Sequence, residues 1–437
     1  MQTKLTSIVA AGFLLSSFAQ ATATVDWTTT WSAGPSGFAR PIFVKLDGDG
    51  NILTVGHING AAGDPDLLIQ KRTSEGGLLW TTTYDNSDRQ ENPTAMGVDA
   101  DGNVVVTAYS WSGVGFERWL VLKVTSEGSV AWANSAGVGV PGAVHVNPDG
   151  TSIVTGYTSS PAKAFDMCTI KYAADGSRVW TSRLNGPFNG DDYVHDLAVD
   201  ATGNIYLAAS VQKNANRRDT RVVKLNPNGN QMWIRPYTAG PTSDSLGRKI
   251  AIHASGGCVV AGEQHEQGNV DTFDIPVSRY DADGNLLWRR IFDGPDHLVD
   301  RAKALKIDNA GNAWLLSASH SLTSRDDMML VRYSPTGDKE SRRFANGVGD
   351  SDEPMGLAIN PADGTIYIAG GSTSDANTTT SVVLKFHSLS KQWTLIEPGP
   401  YNSDFAFDVA IDSSNRAIVV GQRDNSTYVE SLIWRVH

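Results

Sequence analysis

Residues 280–290 read YDADGNLLWRR. Asp281 and Asp283 stand ahead of a glycine and an asparagine, which fits either the opening of a calcium loop or the turn of a β-hairpin. An EF-hand loop needs a longer D-x-D-x-D-G run and a glutamate about six residues past the glycine. Neither is present here. The rest of the chain decides the matter, because the stretch has counterparts. The same place in other copies reads TSEGG (73–77), TSEGS (125–129), AADGS (173–177), NPNGN (226–230), SPTGD (334–338) and HSLSK (387–391). What persists is a preference for Gly, Asn and Asp, the residues that turns require, and not a set of ligands.

The strands around this turn repeat as well. The one before it carries a base in every copy: Lys71, Lys123, Lys171, Lys224, Arg279, Arg332, Lys385 and Arg435. The one after it carries Trp80, Trp132, Trp180, Trp233, Trp288 and Trp393, with Ser341 in the sixth copy. Upstream of each lies another hairpin, such as VKLDGDGNILTVGH (44–57) and LAVDATGNIYLAAS (197–210). Its turn glycines are Gly50, Gly102, Gly150, Gly203, Gly256, Gly311 and Gly364, with Asn415 in the last copy, spaced 48 to 55 residues apart.

Four short strands per unit of about fifty residues is the pattern of a β-propeller blade. Eight such units fill residues 24–437, which predicts an all-β, eight-bladed propeller of four-stranded antiparallel blades. The eighth unit stops at SLIWRVH (431–437), after its third strand. Its fourth strand is expected from TVDWTTTWSAG (24–34), so that the N-terminal strand completes the last blade and closes the ring. Closure removes exposed sheet edges, which favour aggregation.

The repeat resembles the bacterial SBBP-type β-propeller repeat, with its D-x-x-GN turn, its strand ending in Lys-Tyr and its closing tryptophan. The resemblance covers essentially all of residues 24–437. It implies a propeller and an exported or surface-exposed protein, and it assigns no activity, since a fold does not imply a function. Quinone-dependent dehydrogenases and outer-membrane assembly lipoproteins also use eight blades with tryptophan repeats. The tryptophan-docking ALDA-x-TG motif, the adjacent cysteine pair and the lipobox of those groups are all missing.

Residues 1–23 have the form of a signal peptide. Lys4 supplies the positive start, Leu5–Ala19 is an apolar run too short to span a bilayer comfortably, and A-x-A sites end at Ala21 and Ala23. The expectation is an exported, soluble protein, periplasmic or secreted, monomeric and without membrane insertion. A net charge of −11 speaks against nonspecific binding to nucleic acid or anionic lipid. The two cysteines, Cys168 and Cys258, fall a whole blade apart, beyond disulfide reach, and are expected to be free and buried.

Function is expected where the repeat varies. Acids recur before the first strand (Glu91, Asp192, Asp244, Asp300, Asp352, Asp404) and before the base of the third (Asp66, Asp166, Asp219, Asp274, Asp327, Glu430). Such acids bind cations or sugar hydroxyls, or they cap their own loops, and recurrence favours capping. No cofactor is indicated by the sequence, calcium being the one allowed by the number of acids. Histidine breaks the symmetry: His195, His265, His297 and His320 fall at one face of units four to six, with Tyr193, Arg248 and Arg301 in the same sector. Their spacing does not match a zinc site. Arginine to neutralise a carboxylate, with histidine or tyrosine as base and acid, would suit removal of a proton from an acidic sugar. His195, Tyr193, His297 and Arg301 are the candidates for that chemistry, and His265, His320, Arg248, Trp111 and Trp119 for ligand binding. Trp111, Phe116 and Trp119 lie in or beside the unit-two segment WSGVGFERW (111–119), as a stacking platform or a local apolar cluster. There is no G-x-S-x-G, Walker loop, HExxH or C-x-x-C. Two readings follow: a non-catalytic binding or scaffold protein with a glycan or protein ligand at the channel mouth, or a lyase or hydrolase acting on an acidic polysaccharide. A calcium-dependent surface protein is a third.

Overall fold

In the computed structural model, Asp281–Asn285 is a hairpin turn and both carboxylate oxygens of Asp281 are already used. Asp281 Oδ1 accepts from the N–H groups of Asp283 and Asn285 at 2.9 and 2.8 Å, and Oδ2 from the Asn285 amide at 2.9 Å. Gly284 takes φ 81°, a left-handed value that favours glycine. The structure describes residues 22–437 apart from 35–36, 60–62, 87–88, 160–163, 241–242, 266–271, 323–324, 345–350, 375–377, 398–402 and 425–427. The predicted leader, residues 1–23, therefore lies outside the described residues except for Thr22 and Ala23.

The described residues form thirty-one strands and no helix. They build six antiparallel sheets of four strands and one of seven. The seven-stranded sheet joins units two and three through one long strand, Val130–Val146. Its first half pairs with Arg118–Val124 and its second half with Ser152–Ser159. Second and third strands are buried almost continuously, as Ile52–Asn59 and Pro65–Arg72 show, because neighbouring units cover both of their faces. Fourth strands, such as Leu78–Tyr84, alternate between half-buried and exposed residues and form the outer rim.

The expected closure is present. Val25–Trp31 pairs antiparallel with Val429–Val436 and completes the last sheet. The Thr24 N–H donates to the His437 carbonyl at 3.0 Å and the His437 N–H returns the bond at 3.1 Å. Arg435 adds an ion pair to Asp26 at 2.8 Å.

Tryptophans tie each unit to the next. The indole N–H groups of Trp80, Trp132, Trp180, Trp233 and Trp288 donate to Ser126, Ala174, Pro227, Ala282 and Pro335 carbonyls at 2.8 to 3.1 Å. Each acceptor lies in the following unit's outer turn. Unit six has Ser341 instead of tryptophan, and the turn facing it lacks glycine: Ser388 takes φ 53° and Leu389 fills the apolar space. Cys168 and Cys258 are free and buried, as expected.

Candidate functional site on the inner strands

Each unit's first strand packs against the first strand of the next, and that of the last unit against that of the first. These inner strands share a device the sequence hid. Every one is bulged at the same place, so a single extra residue is left unpaired: Ile42, Thr94, Gly142, His195, Arg248, Lys303, Met355 and Phe407. A bulge kinks the strand and re-aims the side chain it carries. It also crowds the partner strand. A Cβ on Gly262 would stand 2.4 Å from the Leu246 carbonyl oxygen, which explains the recurring glycine of the second strand.

In units four to six the bulge residues are His195, Arg248 and Lys303, and all three line one cavity of about 290 Å³. Lys249, Glu263 and Arg301 complete its charged wall. Glu263 pairs with Arg248 at 2.8 Å, and Lys303 pairs with Glu353. Lys249 and Arg301 make no ion pair among the described residues, and although the buried Asp196 carboxylate acts on Lys249, Arg301 is left without a neighbouring acid partner, so the lining keeps a positive excess. His195 Nε2 lies 2.9 Å from the Ser210 hydroxyl. Its pKa falls to about 3, through burial first and then the charges of Arg248, Lys249 and Arg218. It is therefore neutral at ordinary pH.

Of the residues singled out in the sequence, His195, Arg248 and Arg301 converge here. Tyr193 adjoins them, its ring 6.4 Å from that of His195. The others go elsewhere. His297 is exposed on a turn at φ 56°, with Nδ1 2.5 Å from Asp293. His265 packs on Phe273 with ring centres 3.6 Å apart, and His320 pairs with Asp326 at 3.0 Å. Trp119 is a correction: it is 0% exposed in the core and cannot stack on a ligand. It starts the buried run of its strand, opposite Tyr109. Trp111 ends its own strand, with its indole 3.4 Å from the Gly115 carbonyl, so no three-ring platform with Phe116 forms.

The recurring acids mostly cap loops. Asp192 accepts from the Gly186 and Gln212 N–H groups, and Asp300 from Gly294 at 2.7 Å. Asp219 and Asp327 are neutralised by Lys213 and Arg343. The recurring bases are structural in part: Lys71 and Lys123 bind Asp47 and Asp99 at 3.0 and 2.9 Å. Among the described residues, two acid groups could hold a divalent cation such as calcium. Asp66, Asp85 and Glu91, and likewise Asp274, Asp293 and Asp300, bring carboxylate oxygens within 4.8 Å of one another. Burial, and then the neighbouring carboxylates, push Glu91 and Asp300 up to about 7.

Comparison with known proteins places this geometry in a fold class. A family model described as a domain of unknown function (DUF5122) beta-propeller matches residues 201–231. Comparison with curated proteins gave no match. Among solved structures the chain is similar to the Dos1 propeller, with a TM-score of 0.58 at 8% identity over 94% of both chains. It is also similar to a PL25 ulvan lyase, with a TM-score of 0.52 at 11% identity, over 79% of this chain and 94% of that one. The protein is an all-β chain with the propeller fold, its strands mostly in four-stranded antiparallel sheets. At these identities the likeness speaks for fold alone. Among the described residues no helix is long and apolar enough to cross a membrane.

Proposed function

We propose that the chain is an exported, monomeric propeller of SBBP type that binds an acidic glycan at the mouth of its channel without turning it over. Counting the shared strand Val130–Val146 in both units that use it gives eight blades. The observation that carries the reading is electrostatic. In a protein of net charge −11, Arg248, Lys249, Arg301 and Lys303 meet in one cavity around a neutral histidine, against Glu263. A cavity left positive by its own surroundings is suited to a carboxylate or sulfate. The ulvan lyase structure with a bound -[GlcA(1-4)Rha3S]- chain suggests the first probe, a sulfated glucuronate polymer.

The test is calorimetric titration with oligosaccharides of that polymer. Binding that weakens with salt, and about tenfold or more in Arg301→Ala and Lys249→Ala, supports the proposal. Equal binding in wild type and both variants, or no binding to any acidic glycan, overturns it.

The juxtaposition of His195, Tyr193 and the two free cations favours a second reading, elimination from a uronate. His195 is a weak base while its pKa stays near 3, and an anion placed among the cations would raise it. Appearance of the unsaturated-uronate absorbance during incubation, lost in His195→Ala, would make this the function.

A further inference from the structure

Arg218 carries the argument beyond the cavity, on the reading that an acidic glycan occupies it. Its backbone N–H is fixed by Asp244 at 2.6 Å, and the adjacent Arg217 takes the other oxygen of that carboxylate at 3.3 Å. The Arg218 guanidinium lies over the Tyr193 ring, 4.9 Å from its centre. Its Nε is buried and has no hydrogen-bond partner, and no ion pair forms at this side chain among the described residues. The acid nearest this stack is engaged: Asp191 accepts from the Tyr193 hydroxyl at 3.2 Å and from the Phe165 N–H at 3.1 Å. Nε itself is enclosed, beyond a ligand's reach, but the side chain as a whole is only half-buried, and the terminal N–H groups of a guanidinium without an ion pair can take an anionic oxygen from outside.

Aromatic rings continue from this point, away from the cavity. Tyr193 meets Tyr157 edge to face with centres 4.7 Å apart, Tyr157 meets Phe165 at 5.2 Å, and Phe165 meets Phe116 at 5.9 Å. The inner rings are half-buried and brace one another, while Phe116 is 67% exposed. An exposed ring braced by a perpendicular neighbour suits a sugar, whose C–H groups meet the negative π-surface.

We infer that the ligand is an oligosaccharide bearing at least two anionic groups. One sits in the cavity between Lys249 and Arg301, the next on Arg218 above Tyr193, and the chain runs on towards Phe116. Arg218 thus selects a polyanion over a single acidic sugar.

The experiment is calorimetric titration of the protein with glucuronate and with oligoglucuronates of two, four and six residues, at one ionic strength. Wild-type affinity is expected to rise about tenfold or more along the series. Arg218→Gln should abolish the gain between one residue and two, and Arg218→Lys should restore part of it. Phe116→Ala should abolish only the gain at greater length. Phe116→Ala should leave glucuronate itself unaffected, Arg218→Gln should weaken it by no more than about twofold through the lost long-range charge, and circular dichroism should be unchanged. Wild-type affinity that is flat with length, with glucuronate still bound, overturns this inference and spares the cavity. Equal loss at every length in Arg218→Gln also overturns it. No binding of any member overturns both readings.

Discussion

The indole of Trp233 lies against Gly284, across the boundary between two units. A Cβ on Gly284 would stand 2.9 Å from both Trp233 Cδ2 and Arg235 Nε. Arg235 Nε also donates to the Gly284 carbonyl at 2.7 Å. The turn therefore needs glycine twice, for its φ of 81° and for the ring beside it. Gly50 has φ 79° but open space around it. Gly50→Ala should cost only backbone strain, about 1 kcal/mol, and Gly284→Ala about 1–3 kcal/mol more. Urea unfolding of the two variants makes the comparison, and equal costs would mean that the indole moves aside freely.

Such seams were legible in the sequence because they are local chemistry repeated along the chain. Turn glycine, tryptophan and strand base each recur at fixed offsets, and Ser341 opposite Ser388 shows the pair changing together. The missing last strand pointed to Trp27 for the same reason. The cavity was only partly legible. His195, Arg248 and Arg301 stood out by breaking the repeat, whereas Lys249, Lys303, Glu263 and Arg218 looked like ordinary strand residues. The bulge hid them, since one unpaired residue changes which side chains share a face. The small residues opposite the bulge, Gly56, Gly156 and Gly262, were the available clue. His265 and His320 end second strands and His297 precedes a first strand, and each is taken up by a local partner, Phe273, Asp326 and Asp293.

His195 should remain neutral throughout the ordinary pH range. With a folded pKa of about 3 and a usual value of 6.5, the unfolded chain binds the extra proton between these limits. Stability should therefore fall as pH drops from about 6.5 towards 3, and His195→Gln should remove that part of the fall. Imidazole NMR shifts across the titration measure the pKa directly. Addition of an acidic glycan should move it upward.

Glu91 and Asp300 act in the opposite sense. Their folded pKa values near 7 lie above the ordinary 4.5 and 3.8, so the folded state holds the extra proton in between. Stability from these groups is full below the ordinary values and is lost as pH rises towards about 7. Glu91→Gln and Asp300→Asn should each flatten the decline in melting temperature between about pH 5 and 7.5. An unchanged slope in both would show that neighbouring groups already compensate.

Cys168 and Cys258 are each 0% exposed, and burial pushes both thiols up. Reaction needs the thiolate and access to it. Neither should be alkylated in the folded protein at neutral pH, and both should react once it is denatured. Mass spectrometry after a short iodoacetamide pulse reads the outcome, and rapid native labelling of either would mean that its unit opens locally.

The pairing of Val25–Trp31 with Val429–Val436 sets the order of events during synthesis. The earlier strand must wait for a partner about four hundred residues later, and closing a loop that long carries an entropic toll before any contact repays it. Until the two pair, Val429–Val436 presents an open edge and Val25–Trp31 has no sheet to join, so the chain is most vulnerable to proteolysis and mispairing in that interval. A partner able to shield that edge, or passage of the chain in extended form to the place where it folds, would matter most then. A peptide copy of residues 24–34 offered to refolding protein would compete for the same seam and hold the ring open.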